Sequence, residues 1–198
     1  MTALRARLRA LPSFPGDLAV LDVASAPDDP LELFLAWLED AIASGERQPH
    51  AMTLATVDDA GSPSLRTLIV KDVDDRGIHF SSSLSSRKAH DLAARPQAGL
   101  MFFWRELGRQ VEITGTALPL GEEESQADWA QRPGFDGAPN PDWQLWTVQP
   151  DRFEFLQARH DRVHTRLEYR RSADGSWRHG ALMASEATAE ADSTGTTR

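Results

Sequence analysis

The segment Ser85-Ser86-Arg87-Lys88 stands at the start of a short run with helical spacing. The first turn of a helix exposes unbonded backbone N–H groups and the positive end of the helix dipole, a natural seat for an anion. Two cations placed there oppose the dipole, and a phosphate or similar group would resolve that conflict. A second segment, Arg66-Thr67-Leu68-Ile69-Val70-Lys71, sets two cations five residues apart. On a regular strand they point to opposite faces and so serve different groups if both bind anions. In a buried sheet each needs a partner, because an unpaired buried cation is costly; a strand edge in solvent is the alternative. Lys71 and Lys88 are the only lysines among the 21 basic residues.

Two further segments carry usable chemistry. In Gly108-Arg109-Gln110-Val111, the Gln110 amide can offer both a donor and an acceptor to the edge of a heteroaromatic ring, or simply face water. Residues 152–171 hold Arg152, Arg159, Arg162, Arg166, Arg170 and Arg171, with His160 and His164, against Asp151, Glu154, Asp161 and Glu168. That density fits either an anion site or a solvated strand pair with alternating charges.

Other chemistries lack their residues. No Gly-x-Gly-x-x-Gly, no phosphate-binding loop ending in Lys-Ser/Thr and no Gly-x-Ser-x-Gly elbow occurs. Without cysteine there is no thiolate nucleophile and no thiolate zinc site, and the histidines lack metal-ligand spacing, so no metal is expected. The net charge of −9 argues against nucleic acid as a partner. No apolar run approaches the ~18 residues of a membrane span, and Met1–Ala10 has no signal-peptide core. The expectation is a cytoplasmic protein with no membrane partner.

The elements that must position these residues follow from periodicity. Residues 1–28, with Pro12, Pro15 and Pro27, form an N-terminal arm containing a short basic helix. Asp28-Asp29-Pro30 starts a helix whose apolar positions are Leu31, Phe34, Leu35, Leu38 and Ile42, and Gly45 stops it. From residue 51 the period becomes two. Strands are expected at 51–57, 64–72, 78–82, 98–104, 109–118, 143–148, 152–157, 165–171 and 176–183, with helices at 85–94 and 122–131 and a loop at 132–142. The pattern predicts an α+β fold, an antiparallel β-barrel with peripheral helices over 29–183, followed by a disordered tail at 184–198.

Taken in order, His50–Val57, Arg66–Lys71, Ser86-Arg87-Lys88, Gly108–Val111 and Arg162-Val163-His164-Thr165-Arg166 resemble the pyridoxamine 5′-phosphate oxidase family of FMN-binding split barrels. The family includes the flavin oxidases of phenazine biosynthesis, and the likeness covers about residues 29–183. It implies a Greek-key split barrel and a homodimer with FMN at the subunit interface. It also implies a part in pyridoxine biosynthesis, through oxidation of a C4′ amine or alcohol by hydride transfer to flavin N5, with O₂ as final acceptor. By motif position, Arg66, Arg87 and Lys88 would hold the FMN phosphate, and Thr67, Leu68, Ile69 and Val70 would lie along the flavin. Ser81, Ser82, Gln110 and Arg166 would contact the flavin as well. Lys71, beside the cofactor, would face the substrate together with Arg132, Arg162 and His164, the last two orienting it for reaction.

The chain departs from the family pattern at several places. Ser81-Ser82 stand for a Tyr-Thr pair, Asp128 for a tyrosine, and Leu156 for a tryptophan, and the stretch between Arg132-Pro133 and Trp143 is short. An acid at Asp128 opposes a phosphate ester by charge. The alternatives are therefore a flavin oxidase acting on a phenazine-like substrate, a non-catalytic FMN or pyridoxal-phosphate binding module, and a deazaflavin-dependent reductase on the same barrel.

Overall fold

The computed structural model describes residues 3–12, 14 and 16–182, so the expected tail at 184–198 lies outside the described residues. The arm begins with helix α1 (Ala3–Arg9), and a short 3₁₀ turn, Val23–Ser25, leads towards α2 (Pro30–Ala43). Asp29 caps α2 by accepting the Leu31 N–H at 2.9 Å, with Pro30 in the first turn, where its missing N–H costs nothing. The buried side of α2 is Pro30, Phe34, Trp37 and Ala41. Of the apolar positions that set the helical spacing, Phe34 is fully buried, Leu35 and Ile42 are exposed, and Leu31 and Leu38 are partly buried.

Eight strands follow: β1 (Ala51–Val57), β2 (Pro63–Asp74), β3 (Gly77–Ser83), β4 (Gln97–Trp104), β5 (Arg109–Pro119), β6 (Trp143–Gln157), β7 (Thr165–Arg171) and β8 (Trp177–Ala181). Helix α3 (Arg87–Ala94) joins β3 to β4, and α4 (Glu122–Ala130) precedes the loop to β6. In the β1–β2 turn, Asp58 Oδ1 accepts the N–H groups of Ala60 and Ser62, and Gly61 supplies the left-handed residue at φ 83°. All pairings are antiparallel, in the order β3-β2-β1-β4-β5-β6-β7-β8, and an added β3–β6 pairing closes the first six strands into a barrel. Strands β7 and β8 extend the sheet beyond the barrel, which is the split-barrel arrangement.

The two strands expected at 143–148 and 152–157 are one 15-residue strand, β6. Its first half, Trp143–Val148, pairs with β3, and its second half pairs with β7 from Arg152↔Arg170 to Gln157↔Thr165. Pro150 stands between the two expected strands and lacks the N–H that a ladder ordinarily uses. The chain instead passes it with a bulge: Thr114 pairs with Arg152 and Gly115 with Pro150, leaving Asp151 over, and Asp151 accepts the Thr114 hydroxyl at 2.9 Å.

Aromatic side chains fill the interior. Phe34 of α2 lies 4.9 Å from the Phe102 ring, and Trp37 meets Phe155 edge-on at 5.2 Å. The Tyr169 hydroxyl donates to the Pro27 carbonyl at 2.8 Å, tying the end of the arm to β7. No helix among the described residues is long and apolar enough to cross a membrane.

The bulge depends on close approach at Gly115, where an added Cβ would stand 2.2 Å from the Gln149 carbonyl oxygen and 2.9 Å from Pro150 Cα. Gly115→Ala is expected to destabilise the protein by about 1–3 kcal/mol, the usual cost of overpacking against backbone. The readout is a lower urea midpoint at unchanged slope; an unaltered midpoint would show that the strands separate freely there.

Candidate functional site

The β1–β2 register sets Arg66 opposite Leu54. Arg66 donates to the Thr56 hydroxyl at 2.7 Å and approaches Asp91 Oδ2 at 3.7 Å, while the Thr56 hydroxyl donates to that same oxygen at 2.6 Å. Asp91 is buried on α3, so the salt link joins the sheet to the helix. At the start of α3, Ser86 caps the helix by accepting from the Ala89 N–H, and its hydroxyl shares a 2.9 Å hydrogen bond with Ser82 of β3. Arg87 and Lys88 occupy the first turn, with Arg87 3.8 Å from Asp58.

The electrostatics tie these cations into one group. Burial chiefly lowers the Arg66 pKa; Asp91 opposes the shift and Arg87 adds to it. Burial likewise lowers Lys88, and the charge of Arg66 lowers it further. Three cations crowd one helix N-terminus beside two carboxylates, Asp91 and Asp58, leaving a surplus of positive potential. An anion at this point would relieve both the like-charge repulsion and the unfavourable dipole.

Lys71 is engaged elsewhere. It falls at a second bulge, between the pairs Val70↔Phe80 and Asp72↔His79, and its ammonium lies 3.8 Å from Asp128 Oδ1 on α4. The other Asp128 oxygen accepts the Trp143 indole N–H at 2.8 Å. Arg132, just past α4, lays its guanidinium 4.3 Å from the Trp143 ring centre and 5.3 Å from that of Trp129. Lys71 and Arg132 are thus neighbours of one Asp128–Trp143 unit, separate from the partners of Arg66.

The remaining predicted residues lie on or beyond the second half of β6. Gln110↔Leu156 and Leu156↔Arg166 are consecutive cross-strand pairs, so Gln110 and Arg166 flank Leu156 in one row. Gln110 donates to Glu112 at 2.8 Å, and Arg166 donates to Glu154 at 2.5 Å. Arg162 and His164 belong to the β6–β7 loop, where Arg162 adopts φ 63°. His164 Nδ1 accepts the Arg159 N–H at 3.1 Å, and the Phe14 ring meets the imidazole edge-on at 5.7 Å. His160 bonds the Gly16 carbonyl at 3.1 Å rather than pairing with His164, and the arm and this loop enclose a cavity of about 560 Å³.

Thr67 is exposed, Leu68 and Ile69 are half-buried, and Val70 faces the core. Ser81 is buried with its hydroxyl unpartnered among the described residues, so a position expected to face the flavin retains an unused donor and acceptor. Sequence reasoning missed Asp91, the buried counter-charge of Arg66. It also missed Asp142, which accepts from Ser83, from Ser85 Oγ at 2.9 Å and from the Ser85 N–H at 2.8 Å. Those bonds hold the Asp142 carboxyl below its usual range and brace the turn before α3. Asp142 is 57 residues from Ser85 in the chain, and no local pattern signals the contact.

Residues 38–157 match the family described as pyridoxamine 5′-phosphate oxidase, and residues 143–184 match the pyridoxine 5′-phosphate oxidase C-terminal dimerisation region. A pyridoxine/pyridoxamine 5′-phosphate oxidase of Ralstonia pickettii is 36% identical, over 80% of this chain and 91% of its own length. That of Burkholderia lata is 38% identical, over 80% and 89%. Among solved structures, PhzG from Burkholderia lata 383, in complex with tetrahydrophenazine-1-carboxylic acid, superposes with a TM-score of 0.79 at 29% identity, covering 85% of this chain and all (100%) of that one. A pyridoxamine 5′-phosphate oxidase-related, FMN binding protein from Nostoc punctiforme shares the fold at TM-score 0.68 and 18% identity, over 78% and 97%. With a closed six-stranded barrel, the expected motifs in order and relatives of this similarity, the chain belongs to the pyridoxamine 5′-phosphate oxidase family.

Proposed function

We propose that this chain is an FMN-dependent oxidase acting on a primary amine or alcohol, working as a homodimer with the cofactor at the subunit interface. The observation that carries the reading is the surplus of positive charge formed by Arg66, Arg87 and Lys88 at the start of α3. It suits the terminal phosphate of FMN, since the cations, the capped helix N-terminus and the Ser82–Ser86 hydroxyl pair converge there. A match to a dimerisation region over 143–184 supports the dimer. A shared interface would also explain why one chain keeps its predicted contacts in separate groups.

Bound FMN supplies a two-electron acceptor that is reoxidised by O₂, and the protein's task is binding and orientation. Thr67–Val70 would line the flavin along β2, with the free Ser81 hydroxyl, the Gln110 amide and Arg166 available to its polar edge. Arg162 and His164 would orient the substrate. Because His164 Nδ1 accepts a backbone N–H, the neutral ring carries its proton on Nε2. His164 therefore presents an N–H donor to the substrate, held at its angle by Phe14 and Arg159. Likeness to PhzG at 29% identity favours a second reading, in which the substrate is a partly reduced phenazine-type ring compound.

Titration with FMN and with riboflavin tests the phosphate seat. The paired change Arg87→Ala with Lys88→Met should weaken FMN at least about a hundredfold, two charge-assisted contacts' worth, and leave riboflavin affinity within a factor of about three. A wild-type protein that takes up no FMN overturns the proposal. Turnover is read as peroxide release from FMN-loaded protein offered amines, alcohols and reduced phenazine carboxylates in turn. His164→Phe should lower kcat/KM about tenfold or more with FMN affinity unchanged, as loss of one donor to a polar substrate group requires.

A further inference from the structure

The charges around Lys71 bear on which substrates this chain accepts. A cavity of about 270 Å³ between β2, β3 and α4 is lined by Lys71, Asp72, Arg76, His79, Glu124 and Asp128, among others. Each of its basic side chains already has an acidic partner: Lys71 has Asp128 at 3.8 Å, Arg76 has Asp74 at 2.8 Å and Glu124 at 2.7 Å, and the His79 ring has Asp74 at 2.9 Å. Three carboxylates on the lining stand against two permanent cations. Asp128 itself is mostly buried and fixed by the Trp143 indole, so it cannot swing aside at little cost. Arg132 is held over the Trp129 and Trp143 rings on the same unit.

From this geometry we infer that Asp128 is a specificity-determining residue, which cancels the charge of Lys71 and makes the pocket refuse a phosphate dianion in favour of an unphosphorylated amine or alcohol. The inference rests on the oxidase reading for its site, but the charge pairing stands without it. A dianion approaching Lys71 meets the Asp128 carboxylate within the same few ångströms, in a partly desolvated place where like charges repel strongly. An ammonium group meets the surplus of carboxylates and is drawn in. Asp128 thus selects by repulsion, whereas Arg66, Arg87 and Lys88 attract an anion at α3.

Calorimetric binding of pyridoxal 5′-phosphate and of pyridoxal to the FMN-loaded protein decides the matter. The wild type should bind pyridoxal about tenfold or more tighter than pyridoxal 5′-phosphate, and inorganic phosphate should not compete. Asp128→Asn keeps the acceptor for the Trp143 indole while removing the charge. It should shift the ratio towards the phosphorylated ligand by about tenfold or more, and adding Lys71→Met should abolish the gain. A wild type that binds the phosphate ester as tightly as pyridoxal or more tightly, or an Asp128→Asn protein with an unchanged ratio, overturns the inference. The wild-type ratio decides alone if the variants fail to fold. If FMN does not bind, the oxidase reading fails by itself, and the same ratio measured on flavin-free protein carrying Arg87→Ala with Lys88→Met, which removes the anion seat at α3, still tests Asp128.

Discussion

The molecule depends on a buried carboxylate that holds a partly buried cation in the barrel wall. Asp91, carried by α3, accepts from Thr56 of β1 and faces Arg66 of β2. Removing a guanidinium and a carboxylate from water is tolerable only when each finds a partner, and Thr56 bridges the two by accepting from Arg66 and donating to Asp91. The link sets the start of α3 beside Arg66, bringing Arg87 and Lys88 to the same spot. A helix end loaded with like charge is a poor structural device and a good seat for an anion.

A second constraint is the single long strand β6. Its first half closes the barrel on β3, and its second half leaves the barrel to carry β7 and β8. The bulge at Asp151, made possible by Gly115, lets one strand serve both partners. As a result Gln110, Leu156 and Arg166 form a row on the extension, while Lys71 and Asp128 lie on the other side of the barrel's closure, against α4. The proposed cofactor and substrate contacts are therefore distributed along a strand that spans the barrel and its extension. A second subunit is the natural means of bringing them together.

The two ends of the proposed site also differ in electrostatic character. At α3 the cations outnumber their carboxylates, and burial with mutual repulsion lowers the pKa values of Arg66 and Lys88. Beside α4 the cations are matched or outnumbered, with Arg76 and Glu124 holding each other charged. One fold thus presents an unsatisfied positive field at one place and a neutralised one at the other, the basis of the separate selection of cofactor and substrate proposed above.

Much of this was legible in the residues. The 28–45 helix start and stop, the β1–β2 hairpin turn, the Ser86 cap and the order of the motifs depend on nearest-neighbour chemistry: capping oxygens, turn geometry and side-chain period. The continuity of β6 through Pro150 was not legible, because a proline lacks the ladder N–H and only pairing with β5 and β3 together shows that a bulge absorbs it. The buried face of α2 was not legible either, since spacing marks several apolar stripes and the barrel interior selects Phe34, Trp37 and Ala41. Which residues carry charge, and which segments apart from the join within β6 form strands, was decided by the sequence itself. Which charges cancel was decided by the tertiary structure, because Asp91 meeting Arg66 and Asp128 meeting Lys71 are long-range contacts, and Coulomb energy depends on distance in space rather than on separation along the chain.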